Sequence, residues 1–272
     1  MKNLKYIFLF ISLFGLFSCE DVVDVDLPTA QPRLVVDASI DWLQGTDGSV
    51  QKIKLTTTTG FYSSDVPVVS NAVVSVENKD GATFHFIEEG TSGEYFCYDF
   101  VPEVGMEYTL TVIANEEVYT AVETMQNLPE FLYFTQSSDV GFGDDFIEIR
   151  YYFQDDPNED NFYMDRIQEP NKTFPLYGTG NDKYNQGNEM YGLYLSEDIK
   201  QGDILNIKLY EISERYYDYM NKLLESVYNG GGPFQTSVGT VRGNLVNQTN
   251  PDNYALGYFR LCQVFEADYV VE

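Results

Sequence analysis

Apolar and polar residues alternate along most of this chain, and that period of two limits its fold more than any other feature. Leu34, Val36, Ala38 and Ile40 form one such set, Ile53, Leu55 and Thr57 a second, and Ala72, Val74 and Val76 a third. Successive side chains of an extended strand point to opposite faces, so each run describes a strand with one buried side. Turn residues separate the runs at Gln44-Gly45-Thr46-Asp47-Gly48, at Asn78-Lys79-Asp80-Gly81 and at Asn115-Glu116-Glu117, the spacing of hairpins in an all-β domain. Further strands are expected over 83–87, 93–98, 108–114 and 118–123. About seven strands in roughly 95 residues predict a sandwich of immunoglobulin or transthyretin type.

The pattern pauses at Met125 to Pro129 and resumes from Phe131. Ile147, Ile149, Tyr151 and Phe153 share one strand face, an acidic turn follows at 155–161, and 162–167 and 204–209 continue the β pattern. One segment has helical spacing: Ile212, Tyr216, Tyr219, Met220, Leu223 and Val227 recur at intervals of three and four. Ser213 is placed to cap it, and Gly230-Gly231-Gly232 stops it. Strand-like runs return over 237–245 and 254–271. The expected fold is therefore mainly β, with a sandwich over 33–127 followed by a second β-rich domain over 131–272 that carries one amphipathic helix, 212–228.

Composition settles what such a chain can meet. Hydrophobic residues make up 43% and aromatics 15%, far more core-forming material than a disordered chain carries. Sixteen Lys and Arg against 43 Asp and Glu give a formal charge of −27. Nucleic acid is excluded as a partner, because phosphate binding needs clustered cations that this chain lacks in its overall balance.

The first residues read as a targeting segment. Lys2 and Lys5 precede an eleven-residue apolar run, Ile7 to Phe17, broken only by Ser12 and Gly15. A spanning helix needs about 20 apolar residues to cross roughly 30 Å of hydrocarbon, so residues 1–18 are read as a signal peptide. Leu16-Phe17-Ser18-Cys19 resembles the lipobox of bacterial lipoproteins, with an aliphatic residue three positions before the cysteine and a small one directly before it. Cys19 is then the lipid attachment residue, its thiolate taking the diacylglyceryl group. Acyl chains such as palmitate, at about 0.8 kcal/mol per buried methylene, make a firm membrane anchor. Glu20, Asp21, Asp24 and Asp26 follow at once. Residues 19–32 form an acidic tether that stays solvated. Its four acids also resemble the export signal that sends lipoproteins of Bacteroidota to the exterior face of the outer membrane, which sets the expected location.

Catalytic machinery is hard to assemble from these residues. His85 is the sole histidine, flanked by Phe84 and Phe86 on an expected strand, and is read as structural. No Ser or Cys sits in a nucleophile elbow. Asp156, Asn158 and Asp160 match positions 1, 3 and 5 of an EF-hand loop. Asn161 replaces its turn glycine, however, and Ile167 stands where the bidentate Glu belongs, so a polar turn is expected rather than a metal site. Cys97 and Cys262 lie in separate strand-like runs and are read as buried thiols, a disulfide between them being the alternative. The many Tyr and Phe fall at strand or helix core positions. Trp42 is the single Trp, and Tyr217 alone of the helix tyrosines 216, 217 and 219 is left free for a ligand. No cofactor, metal or catalytic residue is assigned, and the chain is read as non-enzymatic.

Several short runs, in order, carry a family resemblance: Pro32-Arg33-Leu34-Val35-Val36-Asp37-Ala38, Ala72-Val73-Val74-Ser75-Val76, Gly93-Glu94-Tyr95, Asp155-Asp156-Pro157 with Asn161-Phe162-Tyr163, Tyr216-Tyr217-Asp218-Tyr219, and Leu256-Gly257-Tyr258-Phe259. The chain is similar to the Bacteroidota lipoproteins catalogued as domain of unknown function 4249. The resemblance implies no activity and no catalytic residues. Its members are often encoded beside TonB-dependent outer-membrane receptors, which implies an accessory role in nutrient uptake with such a receptor as partner and leaves the ligand open. A structural or adhesive envelope protein is the alternative, and a carboxylate glycosidase a more distant one.

Overall fold

In the computed structural model the alternating runs become strands. The structure describes residues 31–60, 63, 65–138, 146–228 and 239–272. The lipid-attachment residue Cys19, the acids Glu20, Asp21, Asp24 and Asp26, and the helix stop Gly230-Gly231-Gly232 lie outside the described residues.

The first seven strands are β1 (Leu34–Leu43), β2 (Gln51–Thr57), β3 (Val73–Asn78), β4 (Thr83–Glu88), β5 (Glu94–Cys97), β6 (Glu107–Ala114) and β7 (Glu117–Thr124). Then come β8 (Glu130–Ser137), β9 (Ile147–Gln154), β10 (Phe162–Gln168), β11 (Leu176–Asn181), β12 (Glu189–Ser196) and β13 (Ile204–Ile212). Helix α1 (Glu214–Tyr228), a short β14 (Val246–Asn247) and the long β15 (Leu256–Val270) complete the order. The β6–β7 hairpin turns on Asn115 and Glu116, both at positive φ, the conformation of a tight turn matched to strand twist.

The strands form a twelve-stranded sheet, β11-β10-β13-β15-β1-β2-β5-β4-β3-β6-β7-β14, and a three-stranded sheet, β12-β9-β8. The large sheet folds over where β4 meets β5. Its strands β3, β4, β6 and β7 thereby face β1, β2 and β5 across a first core that includes Val36, Ile53, Tyr95, Tyr108 and Leu110. At the other end, β12-β9-β8 covers β10 and β13 over a second core with Tyr151, Phe153, Tyr163, Ile207 and Leu209.

One strand serves both cores. β15 pairs parallel with β1, Val35 to Leu43 against Leu256 to Val264, and antiparallel with β13, Ile204 to Tyr210 against Val270 to Val264. Phe259 and Leu261 enter the first core, while Phe265 and Tyr269 pack on the second. The span 131–272 is therefore not closed on itself, and Pro32–Glu272 forms one compact unit. Among the described residues no helix is long and apolar enough to cross a membrane.

Three local expectations shift. The helix starts at Glu214, because Ile212 completes β13; Ser213 Oγ accepts the Tyr216 N–H at 3.3 Å, as an N-cap does. Strand over 237–245 is not found among its described residues, where pairing begins only at Val246. Four strands absent from the sequence pattern appear, β8, β11, β12 and β14; β11 and β12 contain glycines at Gly178, Gly180 and Gly192 that break the alternation. Gly192 is required there: a Cβ would lie 1.9 Å from Cζ of Tyr151, whose ring fills that space.

Candidate binding groove

The two sandwiches share the layer running from β11 to β5, and α1 lies on its outer face. Tyr216 and Met220, one stripe of the helix, are buried against Met164, Tyr210, Tyr258, Cys262 and Val264 in a third cluster. The helix leaves part of the sheet face open. A groove of about 830 Å³ runs between them, with Met220, Leu223, Leu224 and Val227 on the helix side and Asp37, Ser39 and Asp41 on the β1 side.

The floor of the groove holds a buried arginine. Arg260 is 6% exposed, in the middle of an otherwise apolar strand segment. Parallel pairing sets Ser39 opposite Arg260 and Asp41 opposite Cys262, which brings the Asp41 carboxylate diagonally across to the guanidinium. Arg260 Nη1 lies 2.8 Å from Asp41 Oδ1 and donates to Cys262 Sγ at 2.7 Å. Its guanidinium carbon stands 4.9 Å and 5.5 Å from the ring centroids of Tyr210 and Tyr216. Burial works against the charge, but Asp41 and the neighbouring sulfur and phenols outweigh it and hold the arginine protonated. Burial likewise pushes the Cys262 thiol up to about 12, against the opposing pull of Arg260, so it does not act as a nucleophile. Arg260 Nε finds no hydrogen-bond partner among the described residues, a donor left over on the floor. Lys52, Arg166 and Lys208 add positive charge to the walls.

A second cavity, of about 550 Å³, lies on the other side of α1 and shares Tyr219 and Tyr258 with the groove. Arg215, Asp218, Tyr219 and Lys222 reach it from one helix face, and Arg242 from the segment opposite. A third, of about 320 Å³, is acidic: Glu159, Asp160 and Glu211 line it with Asn161. Burial, then Asn161 pulling the other way, then repulsion from Glu159, Asp156 and Asp155, leave the Glu211 carboxyl pushed up to about 7.

The residues weighed in sequence are dispersed. His85 is exposed on β4, with Phe84 and Phe86 turned into the core. Asp156 Oδ1 accepts from its own turn, the Asn158 N–H at 2.9 Å, and among the described residues no three His, Cys, Asp or Glu are grouped to hold a metal. Asp155 is buried instead, accepting from the Tyr163 hydroxyl and the Gly187 N–H at 2.5 and 2.6 Å. Cys97 and Cys262 are both buried free thiols, one in the first core and one in the cluster under α1. Tyr217, expected to be free, packs 5.1 Å from Phe162 and accepts from Asn181 Nδ2 at 3.0 Å. Tyr133, Tyr152 and Tyr191 make an aromatic row across β8, β9 and β12. Tyr133 and Tyr152 stack on each other at 4.5 Å, which hides the ring faces a sugar would need. The Arg260–Asp41 pair was missed in sequence; its one signal was an arginine inside a run that otherwise reads as buried strand.

Comparison with known proteins adds a family and little else. A family model described as domain of unknown function (DUF4249) matches residues 20–268. No curated protein matches the chain. Among solved structures, a two-domain fibronectin type III segment of chicken tenascin aligns at 12% identity over 66% of this chain and 90% of its own, with a TM-score of 0.22. A cytokine receptor complex aligns at 9% identity over 65% of this chain and 82% of the other, with a TM-score of 0.25.

Proposed function

The chain belongs to the DUF4249 family, and since that family brings no activity with it, we propose from the residues themselves that this is a non-enzymatic, lipid-anchored binding protein of the outer membrane. One structural observation carries the binding role: the groove beneath α1, open enough to admit a ligand and floored by the fixed Arg260–Asp41 pair. Its walls combine apolar side chains of α1 with charged residues of the sheet, and a concave site with fixed polar groups is a usual form of ligand site. The motif Leu16-Phe17-Ser18-Cys19 supports anchoring at Cys19, and Glu20, Asp21, Asp24 and Asp26 support export to the cell exterior. A TonB-dependent receptor barrel is the proposed partner, with the protein acting as its accessory in nutrient uptake.

Metabolic labelling with a palmitate analogue tests the anchor: label is expected in the wild type and absent from Cys19→Ala. Protease treatment of intact cells tests the location, with Glu20→Ala/Asp21→Ala expected to become protected. Purification in mild detergent tests the partnership. Recovery of the protein only as a free monomer, with no barrel retained, would sink the receptor role.

A further inference from the structure

The charge of the two cavities beside α1 is the inverse of the charge of the chain. Outside Lys2 and Lys5 the sequence has 14 Lys and Arg against 43 Asp and Glu. Seven of those 14 cations line the groove or the second cavity, and only three acids do, Asp37, Asp41 and Asp218. Within the groove three of the four cations face carboxylates: Arg260 faces Asp41, while Lys52 and Lys208 lie 3.2 Å from Glu94 and Glu266; the fourth, Arg166, donates from Nη1 to Asn206 Oδ1 at 3.3 Å. The second cavity differs. Arg215, Lys222 and Arg242 have no carboxylate oxygen within 4.0 Å among the described residues.

Their placement follows from the fold. Arg215 and Lys222 are seven residues apart, two turns along one helix face, with Tyr219 between them. Arg242 approaches from the facing segment with its guanidinium carbon 3.5 Å from the Tyr254 ring centroid, a ring that Arg33 also covers at 3.7 Å. Asp218 is the one acid lining the cavity with these three cations, and the half-buried Glu123 also acts on Arg215, so the lining keeps an excess of positive charge that a bound anion neutralises. Two guanidinium forks match carboxylate or sulfate oxygens in pairs, and the ammonium supplies a third point.

We propose that the cavity lined by Arg215, Lys222 and Arg242 binds a small organic polyanion, bearing two or more carboxylate or sulfate groups and no larger than about a disaccharide. The size limit comes from the cavity of about 550 Å³. This inference rests on the assignment of the protein as a binding component and names its ligand class.

Calorimetric titration of the purified protein in detergent, at 50 mM salt, with citrate, a uronic-acid disaccharide, inorganic sulfate and a neutral disaccharide tests it. Citrate or the uronate is expected to bind, more weakly as salt rises. Arg215→Gln and Arg242→Gln should each lower affinity roughly ten- to a hundredfold. Lys79→Gln, on the β3–β4 turn, should leave it unchanged. Arg215 is exposed on the helix, so its variant folds even if Arg242→Gln does not. Equal binding of the neutral disaccharide would overturn the polyanion inference while leaving a binding role in place. Failure of all three anions to bind, or binding that Arg215→Gln and Lys79→Gln weaken equally, would overturn it too.

Discussion

Replacing Asp41 with Asn keeps the shape of the groove floor and removes the one carboxylate that Arg260 faces. The pair is 2.8 Å apart, with side-chain exposures of 7% for Arg260 and 28% for Asp41. Breaking a buried ion pair by removing one partner costs about 3–5 kcal/mol, because the remaining charge stays buried without compensation. Asp41 is partly wet, and the rings of Tyr210 and Tyr216 stay in place, so the cost should sit near the lower end, about 3 kcal/mol. For a folded unit of this size, 1 kcal/mol moves Tm by about 2–4 °C, giving a fall of roughly 6–12 °C. Arg260→Met removes the buried charge itself and should cost less than Asp41→Asn. The double variant should be more stable than the sum of the two losses implies, with a coupling of at least about 2 kcal/mol. Urea unfolding followed by far-UV circular dichroism measures all four corners of the cycle. A cost below about 1 kcal/mol for Asp41→Asn, or simple additivity in the double variant, would refute the claim that this pair holds the floor.

Three further outcomes are expected. Glu211 has a folded-state pKa of about 7 against an ordinary 4.5, so between those values the folded protein holds a proton that the unfolded chain has released. Its contribution therefore destabilises progressively as pH rises through that window, by about 3 kcal/mol in all, and is constant above it. Glu211→Gln should gain on the wild type from pH 5 to pH 8 in urea midpoints; parallel pH profiles would count against it. Gly257→Ala should cost about 3–4 kcal/mol in thermal unfolding, since φ is +88° and a Cβ would meet Val36 O at 2.0 Å, whereas Gly45→Ala, at φ +85° with open space around it, should cost only about 1–2. Cys97 and Cys262, pushed up to about 11 and about 12 mainly by burial, should ignore a thiol reagent at pH 8 until the protein unfolds, and reduction should leave the mass unchanged.

The strands of the first sandwich were legible because each shows one buried face, and alternation reports that directly: all seven from β1 to β7 coincide with alternating runs. β11 and β12 were not, because Gly178, Gly180 and Gly192 break the alternation, two of them, Gly178 and Gly192, where the Asp165 and Tyr151 side chains need the room. The sharing of β15 was also hidden. Phe259 and Leu261 belong to one core and Phe265 and Tyr269 to another, yet along the sequence they lie in a single strand-like run, 254–271, whose pattern says that residues are buried but not against what. The site was the least legible part. Asp41 and Arg260 are 219 residues apart, and only the parallel register of β1 with β15 brings them together. The aromatic and acidic motifs that drew notice first, Tyr217 and the 155–161 turn, are occupied with packing and hydrogen bonds of their own.

The parallel pairing of β1 with β15 also fixes how the body bears load. A pull that enters at Leu34 and leaves at Val270 draws two parallel neighbours past each other lengthwise. The inter-strand bonds between Val35–Leu43 and Leu256–Val264 then share the strain together, where a hairpin pulled from its open end would yield one rung at a time. A chain tethered at its N-terminal side and gripped at its C-terminal side therefore loads this pair in shear, and both cores must give way before β15 comes free.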